Sequence, residues 1–167
     1  MKLVVDVHYT NTTALCAGIL FNHWNTSDIS QKLLTHTENI QAYESGSFYK
    51  RELPCIMNLI KQHNITPELI IIDGYVFLDG ESEAGLGKYL YDSLKGNTPI
   101  IGVAKKAFNQ IAPDYEILRG ISTKPLYITA IDIPLAEAKE KIATMHGKHR
   151  IPTLLRQVDQ LCRGIEF

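Results

Sequence analysis

Two aspartates lie in or at the end of apolar stretches, where a carboxylate is unexpected. Asp6 interrupts LVVDVHY, and Asp73 ends the run LIIID just before Gly74. A charged group in a buried strand is costly unless it is paired or bound to a cation. Oxygen-rich sites of this kind suit Mg²⁺, with Mn²⁺ as the alternative. The two residues therefore predict a cation site, provided that their strands are neighbours.

Each of these acids also has a purely structural interpretation. Asp73 could be a turn or helix N-cap residue, whereas Asp6 has a weaker case of that kind because no helix follows it closely. Glu52 begins a helical stretch, and a glutamate in the first turn is commonly stabilised by the helix dipole. Only Asp6, Glu52 and Asp73 together make a metal site.

Hydrophobic patterning predicts the strands that would position these acids. The runs ELIIID and PIIGVA are nearly continuous, as is typical of strands buried on both faces. The polar NTT between the first two runs suits a hairpin. Strands are predicted at Leu3–Tyr9, Thr13–Phe21, around Asp28–Thr37, and at Glu68–Asp73, Pro99–Ala104 and Leu126–Ile131.

Three- and four-residue spacing of apolar residues predicts the helices. They are Gly46–His63, Gly85–Leu94, Leu135–Met145 and a final helix opened by Pro152. An antiparallel meander followed by βαβ units indicates an α/β fold, a ribonuclease-H-like mixed sheet flanked by helices. Neither GxGxxG after a strand nor GxxxxGK[ST] occurs, so the sequence does not support a nucleotide phosphate loop.

Composition indicates one globular domain over residues 1–167. The chain has a mass of 18.8 kDa, with 45% hydrophobic and 21% charged residues. No apolar run approaches the ~18 residues of a membrane span. Cys16, Cys55 and Cys162 lie far apart, which argues against a disulfide framework or a zinc site. We expect a cytoplasmic protein without a membrane partner.

Charge is distributed unevenly along the chain. Residues 1–87 carry a net charge of −5, and residues 88–167 carry +4. An acidic site beside a cationic surface would suit phosphate chemistry. Random variation in surface charge explains the asymmetry equally well.

Five segments, in order, resemble the endonuclease V family. YESGSFYKRELP (Tyr43–Pro54), ELIIIDG and PIIGVAKK are similar to that family's YxPGxLxFRExP, DGxG and PxIGVAKS patterns. VDVHY near the N-terminus and RIPTLLRQVD near the C-terminus match VDVSY and RxPEPTRxAD. The resemblance covers nearly the whole chain. It implies a ribonuclease-H-like fold and a metal-dependent endonuclease that cuts phosphodiesters near hypoxanthine in DNA or RNA, as in DNA repair.

The resemblance also implies roles for individual residues. Asp6 and Asp73 match the family's metal-binding aspartates, and Glu52 matches its helix glutamate. Lys105 matches a lysine close to the scissile phosphate, and Asp159 an acidic or histidine position on the last helix. Mg²⁺ or Mn²⁺ is the implied cofactor, and a single or locally opened DNA or RNA strand is the implied partner. The matches to substrate-binding positions are Tyr43, Gly46, Gly74 and Arg150.

The sequence departs from the family pattern near the expected substrate. Where the family has HGIAHPRRFGLA, this chain has YVFLDGESEAGLG, which loses two arginines and adds Asp79, Glu81 and Glu83. Val76 replaces a glycine, which predicts a side chain where a flipped base would approach the backbone. We expect weak, salt-sensitive binding and reduced selectivity for hypoxanthine.

Two alternative functions remain open. The first is a nucleic-acid-binding protein of the same fold that has lost cleavage, which the acidic residues favour and the complete carboxylate set opposes. The second is a metal-dependent nuclease or phosphodiesterase for another substrate.

Overall fold

The computed structural model describes residues 1–11, 13–38, 40 and 49–167. The strands are β1 (Lys2–Thr10), β2 (Thr13–Phe21), β3 (Gln31–Thr37), β4 (Leu69–Asp73), β5 (Ile100–Ala104), β6 (Glu116–Ile117) and β7 (Leu126–Ile131). The helices are α1 (Tyr49–Gln62), α2 (Leu86–Ser93), α3 (Leu135–Ala143) and α4 (Thr153–Cys162), with a 3₁₀ turn at Pro113–Tyr115. Among these described helices, none has the length and apolar character needed to cross a bilayer.

The seven strands form one mixed sheet in the order β3-β2-β1-β4-β5-β7-β6. β1 pairs in parallel with β4, and β4 pairs in parallel with β5. The other neighbouring strands are antiparallel. An antiparallel meander thus continues into parallel strands, as the sequence predicted for the fold class.

Alternate residues of the central strands supply two apolar layers, one on each face of the sheet. Val4, Ile71 and Val103 pack with α3 and α4. Val5 and Ile72 pack with α1 and α2 on the opposite face. All five side chains are at most 2% exposed. Strands covered on both faces explain the continuous apolar runs in the sequence.

Local hydrogen bonds explain two boundaries that differ from the predicted ones. β3 begins at Gln31 rather than near Asp28, because the Thr26 hydroxyl accepts the Asp28 N–H at 2.9 Å and closes a turn. α3 ends at Ala143 rather than Met145. The Thr144 hydroxyl donates to the Glu140 carbonyl at 2.9 Å, within the last turn of the helix.

Two short elements were not predicted from the sequence. The 3₁₀ turn at Pro113–Tyr115 leads directly into β6, which has only two residues. So short a strand carries no hydrophobic period that a sequence pattern could show. The predicted start of α1 at Gly46 lies outside the described residues, and the described helix begins at Tyr49.

Gly102 of β5 allows the chain that leaves β4 to pass close to the sheet. A Cβ at Gly102 would lie 2.5 Å from the Gly74 carbonyl oxygen and 2.9 Å from the Val76 nitrogen. Both are backbone atoms, which cannot move aside as a flexible side chain can. Gly18 of β2 is a useful contrast, because a Cβ there would meet only side-chain ends, at 3.0 and 3.1 Å.

We expect Gly102→Ala to destabilise the protein, because the added methyl group must displace the backbone after β4. Overpacking of this kind costs about 1–3 kcal/mol. Gly18→Ala is the matched control and should cost less, since the tips of Leu3 and Leu59 can shift. Urea unfolding of both variants measures the difference. Equal losses of unfolding free energy would contradict the close approach.

Candidate functional site

Strand register brings three predicted site residues to one end of the sheet. Val5 pairs with Ile72 in the parallel β1–β4 ladder, so Asp6 and Asp73 are the next residues in line. Alternation places both aspartates on the face that α4 covers. β5 runs parallel to β4, and Lys105 directly follows its last residue. The two acidic strand positions and the lysine therefore meet at the carboxyl ends of the parallel strands.

A cleft opens here because β1 is longer than its parallel neighbour. β1 continues to Thr10 beside β2 only, whereas β4 ends at Asp73. Gly74 then turns the chain away with φ +120°, a conformation that favours glycine. The resulting cleft has a volume of about 230 Å³. It is lined by Asp6, Val7, Tyr9, Glu52, Asp73, Lys105, Asp159 and Arg163.

Asp6 is partly buried in the floor of the cleft. Its Oδ1 accepts the Val7 N–H at 2.9 Å. Burial, and next the nearby Asp73 carboxylate, raise the pKa of Asp6 to about 7. The Val7 hydrogen bond and the Lys105 charge lower the pKa only in part. Ionised Asp6 is therefore poorly stabilised by the protein's own groups.

Glu52 reaches the cleft from α1, on the opposite face of the sheet. It lies in the first turn of that helix and is 6% exposed. The pKa of Glu52 is raised to about 8, mainly because the carboxyl group is buried. The Tyr9 hydroxyl opposes this shift, and the Asp6 and Asp73 carboxylates add to it. The helix-dipole role considered from the sequence does not account for a carboxyl this deeply buried.

Asp73 and Lys105 form an ion pair at the open side of the cleft. Lys105 Nζ lies 3.8 Å from Asp73 Oδ1, and the side chains are 39% and 44% exposed. Burial raises the pKa of Asp73, while Lys105 opposes that shift. An exposed pair of this length contributes little to stability. Both charged groups thus remain accessible from the cleft.

Asp159 faces the strand carboxylates from α4. Arg163, one turn later, donates from Nε to Asp159 Oδ1 at 2.9 Å. One ligand atom from each of Asp6, Asp159 and Cys162 lies within 4.8 Å of the others. Cys162 is not among the site residues predicted from the sequence. Its only sequence signal is the three-residue spacing from Asp159, which puts both on neighbouring parts of one helix face.

The chemistry of these side chains fits a divalent cation. Asp6 and Glu52 have pKa values raised to about 7 and about 8, and Asp73 is also shifted upward. Carboxyl groups that resist ionising together are stabilised when a cation lies between them. Carboxylate oxygens suit Mg²⁺ or Mn²⁺. The Cys162 thiol is a poor ligand by comparison, because burial raises its pKa to about 12 and it donates to the Asp159 carbonyl.

The predicted site residues fall into three groups. Asp6, Glu52, Asp73, Lys105 and Asp159 all line the same cleft. Two predicted substrate contacts are occupied elsewhere: the Gly74 N–H donates to the Val103 carbonyl at 3.0 Å, and the Arg150 guanidinium donates to backbone carbonyls. Tyr43 and Gly46 lie outside the described residues.

The acidic loop, residues 79–83, is ordered by its own aspartate. Asp79 accepts backbone N–H groups from Glu81, Ser82 and Glu83 at 2.8–2.9 Å, together with the Ser82 hydroxyl. These hydrogen bonds hold the pKa of Asp79 well below its usual range, and the bond from the Ser82 hydroxyl has the largest effect. Asp79 and Glu83 line a second cavity with residues 108–111. The backbone of the loop is thus held in place, and Asp79 stands in it with the exposed Glu81 and Glu83.

The expectation that the Val76 side chain stands where a flipped base would approach the backbone is wrong. Its side chain is fully buried and packs against Gly87, where a Cβ would lie 2.6 Å from Val76 Cγ2. Its N–H donates to Thr129 Oγ1 at 2.8 Å. The loop after Gly74 turns Val76 into the core, so no valine side chain stands where a base would approach.

Comparisons with known proteins agree with this arrangement. The sequence profile described as endonuclease V matches residues 3–119. An endonuclease V of Nocardia farcinica is 27% identical over 183 aligned positions, which cover 96% of this chain and 78% of that protein. The endonuclease V structure from Streptomyces avermitilis has 26% identity and a TM-score of 0.78, and the match covers 98% of this chain and 79% of that one.

A third relative is known with nucleic acid bound. Endonuclease V of Ciona intestinalis was solved with a 24mer DNA containing an inosine followed by a ribo-adenosine. It shares 16% identity and a TM-score of 0.77 with this chain, and the match covers 98% of this chain and 84% of that one. At this identity the likeness concerns the fold.

The family profile spans most of the chain, and structures from that family superpose on nearly all of it. The chain belongs to the endonuclease V family, whose members are nucleases with a ribonuclease-H-like fold that act on nucleic acid.

Proposed function

We propose that this protein is a divalent-cation-dependent endonuclease that hydrolyses phosphodiester bonds in DNA or RNA near deaminated bases. The observation that carries the proposal is the convergence of five residues on one cleft. The inosine-containing DNA bound by the Ciona relative supports the choice of substrate. A role in the repair of DNA, in the cytoplasm, would follow. The five residues are Asp6, Glu52, Asp73, Lys105 and Asp159.

Asp6, Asp73 and Glu52 are the residues that would hold the cation, Mg²⁺ or alternatively Mn²⁺. When bound, a divalent cation supplies charge neutralisation at a phosphate and lowers the pKa of water. The upward-shifted pKa values of the three acids support this assignment, because a cation offsets the cost of ionising them in a common cleft.

The remaining chemistry belongs to side chains at the edge of the cation site. Lys105 is placed to offset negative charge on a phosphate oxygen, since its ammonium is 39% exposed and lies at the open side of the cleft. Glu52 lines the same cleft and, where it does not ligate the cation, is placed to hold or deprotonate a water molecule. Asp159, held by Arg163, is placed to orient a water molecule.

The substrate strand would be single or locally opened. The carboxylates of the acidic loop would repel a second phosphate backbone that runs alongside the first. Cationic contacts would come from the basic second half of the chain, including Lys106 and Lys148 in addition to Lys105.

The acidic loop also favours a second candidate, a nucleic-acid-binding protein without cleavage. Incubation with Mg²⁺ and matched strands, with and without inosine, separates the two. Selective cutting of the inosine strand supports the endonuclease. Binding of both strands with neither cut supports the binding protein, and equal cutting of both supports a nuclease for another substrate.

Asp73→Asn should abolish cation-dependent cleavage, because it keeps the shape of the side chain but removes its charge. Loss of a group that only supports a metal ligand costs roughly 10- to 100-fold, so loss of a ligand should cost at least about 100-fold. The circular dichroism spectrum should stay unchanged. Asp92→Asn, at an exposed position of α2, is the control. A wild-type cleavage rate in Asp73→Asn would rule out the assignment.

Without divalent cations, thermal stability should fall as pH rises from about 5 to 8. The folded-state pKa values of Asp6 and Glu52, about 7 and about 8, exceed ordinary carboxyl values near 4. The folded state therefore binds more protons than the unfolded state, and that stability is lost as pH rises through the folded pKa values.

Glu52→Gln should flatten this fall in Tm, because it removes one of the titrating groups, and added Mg²⁺ should reverse much of it in the wild type. Glu137→Gln, at an exposed position of α3, should leave the pH profile unchanged. Tm measured in EDTA and in Mg²⁺ across this range gives the comparison. A Tm that rises with pH in EDTA contradicts the electrostatic account.

Neutralising the acidic loop should strengthen binding of nucleic acid. A Glu81→Gln/Glu83→Gln variant should bind a single-stranded oligonucleotide several-fold more tightly at low salt. The gain should vanish at high salt, where charges are screened within a few ångströms. Glu137→Gln/Glu140→Gln changes the net charge equally and should not improve binding. Fluorescence anisotropy measures the binding of the oligonucleotide. Equal effects of the two double variants would mean that only the net charge of the protein matters.

A further inference from the structure

Arg119 is a buried arginine whose guanidinium donates hydrogen bonds to backbone carbonyls. It follows β6, is 5% exposed, and donates to five carbonyls of residues 143–150. Nη2 reaches the Met145 and Gly147 oxygens at 2.7 and 2.8 Å. Nη1 reaches the His149 and Arg150 oxygens at 2.7 and 3.3 Å. Nε reaches the oxygen of residue 143 at 3.4 Å.

These contacts fix the shape of the connection between α3 and α4. A guanidinium has five N–H donors in a rigid plane, and here the partners are all carbonyl oxygens of one segment. Burying a charge in this way is costly unless its hydrogen bonds are satisfied. What the protein gains is a defined path for residues 143–150, which contain no helix or strand beyond the last residue of α3.

Gly120 shows how closely the two segments meet. It has φ +61°, and a Cβ there would lie 2.2 Å from the Lys148 carbonyl oxygen. The backbone next to Arg119 therefore packs directly on the segment that Arg119 holds. The contact leaves little freedom for the residues at the end of that segment.

Arg150, at the end of the segment, directs its guanidinium to the backbone of Lys105 and of the residues before β7. Nη2 donates to the Lys105 carbonyl at 2.5 Å and to the Pro125 carbonyl at 2.8 Å. Nε donates to the Lys124 carbonyl at 3.1 Å. Arg150 thus joins the residue after β5 to the residues just before β7.

Lys105 is held by its backbone while its side chain faces the site. Its carbonyl accepts from Arg150, and its ammonium lies 3.8 Å from Asp73. The next residue is held as well, because Tyr75 Oη donates to the Lys106 carbonyl at 2.6 Å. The Lys105 side chain therefore starts from a backbone held on both sides, and the reach of its ammonium to Asp73 is measured from that point.

We propose that Arg119 and Arg150 act in series as positioning residues for Lys105. Arg119 sets the path of residues 143–150, that path places Arg150, and Arg150 holds the Lys105 backbone so that the ammonium stands beside Asp73. The inference rests on the proposed function, in which Lys105 faces the phosphate. It gives Arg150 a different role from the substrate contact expected from the sequence.

Arg150→Lys tests this inference, because it keeps the charge but cannot reproduce three hydrogen bonds from one plane. We expect kcat to fall roughly 10-fold, as for other groups that orient a reacting residue. KM and the salt dependence of binding should not change. In a Lys105→Ala background the same substitution should alter kcat by less than about two-fold. Arg119→Lys, measured identically, is the second variant.

A spectroscopic measurement follows Lys105 without relying on activity. Lysines are labelled by reductive ¹³C-methylation, and Lys105→Arg identifies the Lys105 resonance. Asp73→Asn should shift that resonance in the wild type and leave it nearly unshifted in Arg150→Lys. Arg156→Lys, at an exposed position of α4, is the matched control and should behave as wild type in both experiments.

The possible outcomes separate the inference from the proposed function. A wild-type protein that cuts no nucleic acid contradicts the proposed function, and the NMR result still decides the positioning. An equal loss of kcat with and without Lys105 overturns the inference. A raised KM or an altered salt slope in Arg150→Lys also overturns it, since either one indicates a direct phosphate contact.

Discussion

The parallel pairing of β1 with β4 is the constraint on which the site depends. With Val5 opposite Ile72, Asp6 and Asp73 follow as adjacent residues on one face. A slip by one residue would turn one of the two carboxyl groups towards the other apolar layer. The apolar side chains that lie before both aspartates hold the register, because they fill the layers on the two faces of the sheet. Packing energy in the strands thus places a pair of groups that repel each other.

Positive charge is used in two distinct ways around this pair. Lys105 and Arg163 contact carboxylates at the edge of the cleft. Arg119 and Arg150 instead donate to carbonyl oxygens and shape the chain behind the cleft. A count of basic residues in the second half of the sequence cannot distinguish these uses. The asymmetry in charge is therefore a weaker guide to substrate binding than it first suggests.

The sequence predicted what local patterns encode. Asp6 and Asp73 stood out because each is a carboxylate in or at the end of an apolar run. Glu52 was considered as the start of a helix, and Asp159 entered only through the resemblance of whole motifs. Arg119 was missed because its partners come from a distant segment, and Cys162 because its approach to Asp6 arises only when α4 packs on β1.

A motif does not show how the chain turns after it, and the prediction for Val76 failed for this reason. Val76 lies two residues after Gly74, and from the sequence its side chain was expected to face the site. In the fold, the turn at Gly74 directs it into the core instead. β6 has two residues, too few to show any period. Position within a motif thus predicted chemistry better than it predicted the direction of a side chain.

The two apolar layers have a consequence for local opening of the molecule. Glu52 comes from the layer of α1 and Asp159 from the layer of α4, and the sheet lies between the layers. Release of α4 alone would dismantle the cleft while the layer of α1 and α2 stayed packed. Such a partial opening requires less free energy than global unfolding. Amide hydrogens of α4 would then exchange with solvent before those of the central strands, and the cleft would be lost at a lower free-energy cost than the fold.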